Sequence, residues 1–176
     1  MRTILRKFLH LFRGILGSAK EQAGAFELCK ANSEEAYDKF WSDENYLKAY
    51  LEPARVETYN QIIDYAISLM NGPKIVDIGF GSGDFLKLLL SKLKNYQPEV
   101  FGLDFSNAAI SRASKLIPNG KFIKGNVFEM PYEADFFDCV FCIQTLEHLA
   151  SPELVLMEFD RVCKKNGVIF ISIPNG

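Results

Sequence analysis

From Lys74 onward the chain alternates short apolar runs with helical patterns, and this alternation restricts the fold more than any other feature. Apolar runs at residues 75–78, 100–105, 121–124, 137–143 and 168–173 read as five strands. Between the first two, residues 85–93 form a leucine-rich helix. Ser106 caps a second helix that closes at Pro118-Asn119-Gly120. A third opens at Ser151-Pro152, runs to Val162 and closes on Lys164, Lys165 and Gly167. Strand–helix units with short connections predict a parallel sheet covered by helices, an α/β doubly wound architecture.

The segment before Lys74 is of a different kind. Residues 53–70 predict a helix, with Pro53 in its first turn and Val56, Tyr59, Ile63, Ala66 and Met70 along one stripe. Residues 34–51 are polar and aromatic, with Tyr37, Phe40, Trp41, Tyr46 and Tyr50. Residues 1–20 carry Arg2, Arg6, Lys7, Arg13 and Lys20 and no acid, a charge of +5 in a chain whose net charge is -2. Within them, residues 3–17 space apolar side chains as an amphipathic helix with a basic face. Such a helix can lie on an anionic membrane surface, serve as an organelle transit segment, or pack on protein. These readings divide the chain into a basic amphipathic helix (1–20), a linker with N-terminal helices (21–52) and a ligand-binding domain (53–176).

At 48% hydrophobic and 24% charged residues, the composition is that of a soluble globular domain. The small net charge gives no sign of a nucleic-acid partner. No run approaches the roughly 20 apolar residues of a bilayer span. The four cysteines include a C-x-x-C, Cys139 and Cys142, inside an apolar strand. Residues three apart on a strand point to opposite faces, so this pair reads as core packing and not as a redox motif. No Cys/His spacing indicates a metal. Reduced thiols fit a cytoplasmic protein; peripheral membrane contact through residues 3–17 stays open.

The chemistry is concentrated where the first strand runs into Val76-Asp77-Ile78-Gly79-Phe80-Gly81-Ser82-Gly83-Asp84. Glycines there let backbone approach a ligand where a Cβ would collide. Ligands of doubly wound sheets sit at the carboxyl ends of the strands. The spacing is G-x-G-x-G, not the dinucleotide G-x-G-x-x-G. Asp77 and Asp84 would repel a pyrophosphate but suit a cation, such as the ammonium and sulfonium of S-adenosylmethionine. Asp104, closing the second strand, can accept both hydroxyls of a ribose.

With these residues the chain resembles the class I S-adenosylmethionine-dependent methyltransferase family, in its type 11 branch. The resemblance covers residues 55–176. It rests on the glycine loop, Gly102-Leu103-Asp104-Phe105-Ser106, Gly125-Asn126-Val127-Phe128-Glu129-Met130-Pro131, the stretch ending in Leu146-Glu147-His148-Leu149, and Arg161-Val162-Cys163-Lys164-Lys165-Asn166-Gly167. It implies a Rossmann-like sheet in the order 3-2-1-4-5. The family's usual last two strands have no counterpart before Gly176, so the sequence is expected to be a fragment. The implied roles follow the motifs. Gly79, Gly81 and Gly83 pass beneath the methionine and ribose of S-adenosylmethionine, and Asp77 orients its amino end. Asp104 holds the ribose, Phe105 flanks the adenine, Asn126 and Val127 meet its edge and face, and Gln144 lines the methionine end. Phe80, Asn126 and Lys165-Asn166-Gly167 depart from the family's commoner residues without removing the site.

Methyl transfer from a sulfonium is an in-line displacement in which the protein mainly aligns the acceptor. A general base matters when the acceptor is a hydroxyl, a phenol or an acidic carbon. Glu147 and His148, just past the fourth strand, are the candidates, with a structural histidine as the bland alternative. The acceptor is expected to be a small molecule or a lipid-linked compound. A nicotinamide-dependent oxidoreductase and a non-catalytic cofactor-binding module are the rival readings.

Overall fold

A computed structural model describes residues 33–93 and 96–173. The readings for residues 1–20, the linker before residue 33 and Cys29 lie outside the described residues. Three helices come first: α1 (Glu34–Ser42), α2 (Glu44–Tyr50) and α3 (Pro53–Leu69). The polar-aromatic segment is thus two short helices, each opened by a side-chain cap. Ser33 accepts the Ala36 N–H, and Asp43 accepts those of Asn45 and Tyr46. Pro53 occupies the first turn of α3, as expected.

The alternating region then yields β1 (Lys74–Ile78), α4 (Asp84–Lys92), β2 (Glu99–Asp104), α5 (Asn107–Leu116), β3 (Lys121–Lys124), β4 (Phe137–Ile143), α6 (Pro152–Val162) and β5 (Cys163–Ser172). The five strands form one sheet in the order β3-β2-β1-β4-β5, and every pairing is parallel. A strand covered on both faces must be apolar on both. In β4, Cys139 and Phe141 join a core with Ile75, Ile63, Leu86 and Ala113. Val140 and Cys142 face the opposite way, into a core with Val76, Leu103, Val155 and Phe159. The C-x-x-C is therefore split between two layers, and both thiols are buried and free. Among the described residues no helix is long and apolar enough to cross a membrane.

α6 opens at Ser151-Pro152 as expected, with Ser151 at the N-cap making no side-chain bond and the proline setting the start by its fixed φ. One local expectation is corrected. The 164–167 segment is not a closing turn ahead of the strand but lies within β5. Cys163 pairs with Phe137 and Val168 with Cys139, so the four residues between them are absorbed as an irregularity opposite Asp138. Gly167 permits it, because a Cβ there would stand 2.6 Å from Cys163 Sγ and 2.9 Å from the Asp138 carbonyl.

Candidate active site at the carboxyl ends of the strands

A cavity of about 840 Å³ opens over the carboxyl ends of β1, β2 and β4, roofed by α1 and α2. Its floor is the glycine loop. Gly79 and Gly81 adopt φ +71° and +53°, a left-handed region that disfavours a side chain. A Cβ on Gly79 would lie 2.3 Å from Thr145, and one on Gly81 would lie 2.7 Å from the Trp41 ring. Gly83 has another task. It is the left-handed N-cap of α4, and a Cβ there would press on Ala113 at 3.2 Å, so it sets helix packing beside the cavity wall. Asp84 is bound to Arg112 at 3.1 Å and lines no part of the cavity. The acidic rim is therefore Asp77 and Asp104 without Asp84.

Asp77 is 1% exposed, and its Oδ1 is buried with no hydrogen-bond partner among the described residues. Burial first, and the neighbouring Asp104 second, push its carboxyl well above the usual range. Asp104 is also buried and raised by burial, although it accepts the N–H groups of Gly81 at 2.9 Å and Ser106 at 3.0 Å. Two desolvated carboxylates facing one hollow favour a ligand that brings positive charge and hydroxyl donors.

Phe105, Asn126 and Val127, the residues expected beside an adenine, all line the cavity. Phe105 lines the cavity beside Tyr37, with ring centroids 5.1 Å apart, and Val127 and Phe128 line it too. Asn126 turns its Oδ1 onto the Phe128 N–H at 3.0 Å; the carbonyl keeps a second lone pair for a ligand amine. At the opposite end Gln144 takes a left-handed φ of +52°, rare for a residue with a side chain. Its N–H donates to the Ser172 carbonyl at 2.7 Å, and its Oε1 accepts from the Arg55 guanidinium. His148 lines the cavity from a single 3-10 turn, Leu146–His148, and its ring lies edge-on to Tyr37. Glu147 sits 3.9 Å from His148 Nε2 but not in the wall. Partial burial raises its carboxyl.

Two groups of residues were not assigned to the site from the sequence. One is the aromatic roof: Tyr37, Phe40, Trp41, Tyr46 and Tyr50, with Tyr59 of α3 behind it. Aromatic enrichment over residues 34–51 was its only signal. The other is Arg55, whose guanidinium lies 4.0 Å over the Tyr50 ring and whose buried Nε has no partner. No motif surrounds Arg55, so no local signal could have found it.

Comparison with known proteins agrees with this geometry. The methyltransferase domain family matches residues 76–171. The demethylmenaquinone methyltransferase of Thermotoga maritima is 30% identical over 102 residues, covering 58% of this chain and 44% of that protein. The ubiquinone biosynthesis O-methyltransferase of Dechloromonas aromatica is 32% identical over 133 residues, covering 71% and 52%. The chain thus spans about half the length of the curated relatives it matches. Among solved structures, the PH0226 protein of Pyrococcus horikoshii superposes with a TM-score of 0.58 at 27% identity, over 67% of this chain and 56% of that one. A SAM-dependent methyltransferase of Aquifex aeolicus gives a TM-score of 0.57 at 24% identity, over 69% and 68%, a likeness of fold. The family match covers more than half of the chain: it belongs to the methyltransferase domain family, with the class I Rossmann-like fold and S-adenosylmethionine as cofactor.

Proposed function

We propose that this site moves a methyl group from S-adenosylmethionine to a small-molecule or lipid-linked acceptor. The observation that carries the reading is the orphaned, buried Oδ1 of Asp77 beside a glycine floor that a Cβ would block. Such an oxygen costs about 1–3 kcal/mol unless a donor meets it. The cofactor's ammonium is a fitting donor, and Gln144, its Oε1 held by the Arg55 guanidinium, keeps its side-chain NH2 for the carboxylate of the same amino-acid end. In this reading Asp104 takes the ribose hydroxyls, Phe105 flanks the adenine, and Asn126 and Val127 meet its edge and face; all four line the cavity.

When bound, the cofactor supplies an electrophilic methyl on sulfur. The chain's own contribution is alignment and exclusion of water, and alignment alone can contribute up to about 7–11 kcal/mol. Where the acceptor atom carries a proton, His148 takes it at an imidazole nitrogen and Glu147 steadies the imidazolium. The names of the curated relatives, methyltransferases of quinone biosynthesis, support a lipid-linked acceptor. So does the basic apolar pattern of residues 3–17 as a peripheral membrane contact.

Calorimetric titration of the full chain with S-adenosylhomocysteine tests the reading, with NAD as control. One site for S-adenosylhomocysteine and no heat with NAD is expected. Asp104→Asn should weaken that site by about tenfold or more, the loss of a charged hydrogen-bond acceptor. Binding of NAD in place of S-adenosylhomocysteine, or an unaffected Asp104→Asn, would overturn it.

A further inference from the structure

The acceptor side of the cavity has its own chemistry, and it comes from residues outside the family match. Asp77, the glycines and Asp104 belong to the floor, within residues 76–171. The facing wall is built from α1, α2 and α3 by Tyr37, Trp41, Tyr46, Tyr50 and Tyr59. Every one of these side chains is aromatic, and four end in a hydroxyl. They are ordered by ring contacts: Tyr46 and Tyr50 stack with centroids 6.0 Å apart, and Trp41 meets Tyr50 edge-on at 5.2 Å. The Tyr50 and Tyr59 hydroxyls lie 3.4 Å apart.

The charges of the site point the same way. Among the described residues that line the cavity, Lys124 is the one lysine or arginine, and it is bound to Glu34. Arg55 is not in the lining; its guanidinium is held by Gln144 and stacks 4.0 Å over the Tyr50 ring. A carboxylate or phosphate on the acceptor would therefore meet two buried acids and, among the described lining residues, no cation outside an ion pair. A protonated amine on the same ring faces would meet the guanidinium of Arg55, already stacked 4.0 Å over the Tyr50 ring. Burial first, then Tyr46, Asp104 and Glu147, push the Tyr37 hydroxyl up to about 12. Burial also raises Tyr59. These phenols remain uncharged hydrogen-bonding groups throughout the working range of pH.

We infer that the acceptor is an uncharged, planar, hydroxylated ring, seated against the tyrosine and tryptophan faces of α1, α2 and α3 with its hydroxyl toward His148. The inference rests on the methyl-transfer reading and specifies it. Flat apolar rings gain from offset or edge contact with other rings, by about 0.5–1.5 kcal/mol per pair beyond burial. The tyrosine hydroxyls answer ring substituents. The reaction balances without a further reagent. The ring hydroxyl gives its proton to His148, an oxygen lone pair forms the bond to the methyl carbon, and the electrons of the broken carbon–sulfur bond remain on sulfur. His148, 42% exposed at its side chain, passes the proton to water.

Three probes of matched size separate the possibilities: 4-methylcatechol, 4-methylcyclohexanol and 4-methylbenzoate. Each is titrated calorimetrically into the full chain saturated with S-adenosylhomocysteine. The catechol should bind about tenfold more tightly than the cyclohexanol, and the benzoate should not bind. Tyr46 lines this wall away from the glycine floor, so Tyr46→Ala and the bulkier Tyr46→Leu should each weaken the catechol about three- to tenfold. Their affinity for S-adenosylhomocysteine should stay within about twofold of wild type, which also shows that they are folded. Equal binding of the cyclohexanol or the benzoate, failure of the catechol to bind, or both variants binding it as wild type does would overturn the inference and leave methyl transfer standing. Failure of S-adenosylhomocysteine to bind at all removes both.

Discussion

Asp77 stands at the end of β1 as a carboxyl paid for by function, buried, raised in pKa and short of one partner. Its folded pKa lies above the unfolded value, so its contribution to stability is complete below the ordinary carboxylate range. That contribution is lost as pH rises through the raised folded value. Asp77→Asn removes the charge and with it this slope. In the free protein at neutral pH the variant should be more stable than wild type, by roughly 1 kcal/mol, while S-adenosylhomocysteine binds at least about tenfold more weakly. Urea unfolding at several pH values, paired with calorimetry, reads both effects. A variant that is less stable at neutral pH, or that keeps full affinity, would contradict the assignment.

Asp77 and Asp104 were legible in the sequence because each follows an apolar run at a fixed distance from glycines. Arg55 was not. It meets Gln144 across 89 residues of chain, and periodicity carries no information about which helix faces the end of which strand.

At the scale of elements, the roof of the cavity is fastened by its polar edge. Asp38 of α1 accepts the Ser106 hydroxyl at 2.6 Å and the Ala108 N–H at 3.0 Å, at the N-terminus of α5. Glu34 accepts from Asn107 Nδ2 at 2.8 Å and pairs with Lys124. The Ser106 hydroxyl first, and the Ala108 N–H after it, hold the Asp38 carboxyl below its usual range, and a negative charge at a helix N-terminus is favourable. For such a lowered group the stabilisation is present above the ordinary carboxylate range and fades as pH falls through the lowered value. Asp38→Ala should loosen α1 without unfolding the sheet. Amide hydrogen exchange should speed up over residues 34–42 and stay unchanged over β1 and β4, and the emission of Trp41, the single tryptophan, should shift to the red. Unaltered protection in α1 would mean that ring packing alone holds the roof. The sequence placed N-terminal helices within residues 21–52 but not their bounds, because a seven-residue helix such as α2 shows too few turns for a period.

At the scale of the whole molecule, the sheet separates two apolar layers, and β4 feeds both. Cys139 belongs to one layer, and Cys142 and Cys163 to the other. Burial pushes the Cys163 thiol up to about 11 and the other two higher still. A thiol that is neither ionised nor accessible does not attack a disulfide reagent. In folded protein, mass mapping after treatment with an aromatic disulfide should find Cys139, Cys142 and Cys163 unmodified, and all three labelled in urea. A mixed or internal disulfide at Cys139 and Cys142 in the folded state would refute the core-packing account.

The sequence by itself determined the strands, their parallel winding, the glycine floor and the two acids that line the cavity. These depend on spacing within a few residues, which backbone geometry converts directly into faces and turns. Only the tertiary structure decided which residues close the cavity above that floor. Trp41 over Gly81, Arg55 on Gln144 and Asp38 on the start of α5 are meetings between distant segments, selected by packing shape and charge and not by any local pattern.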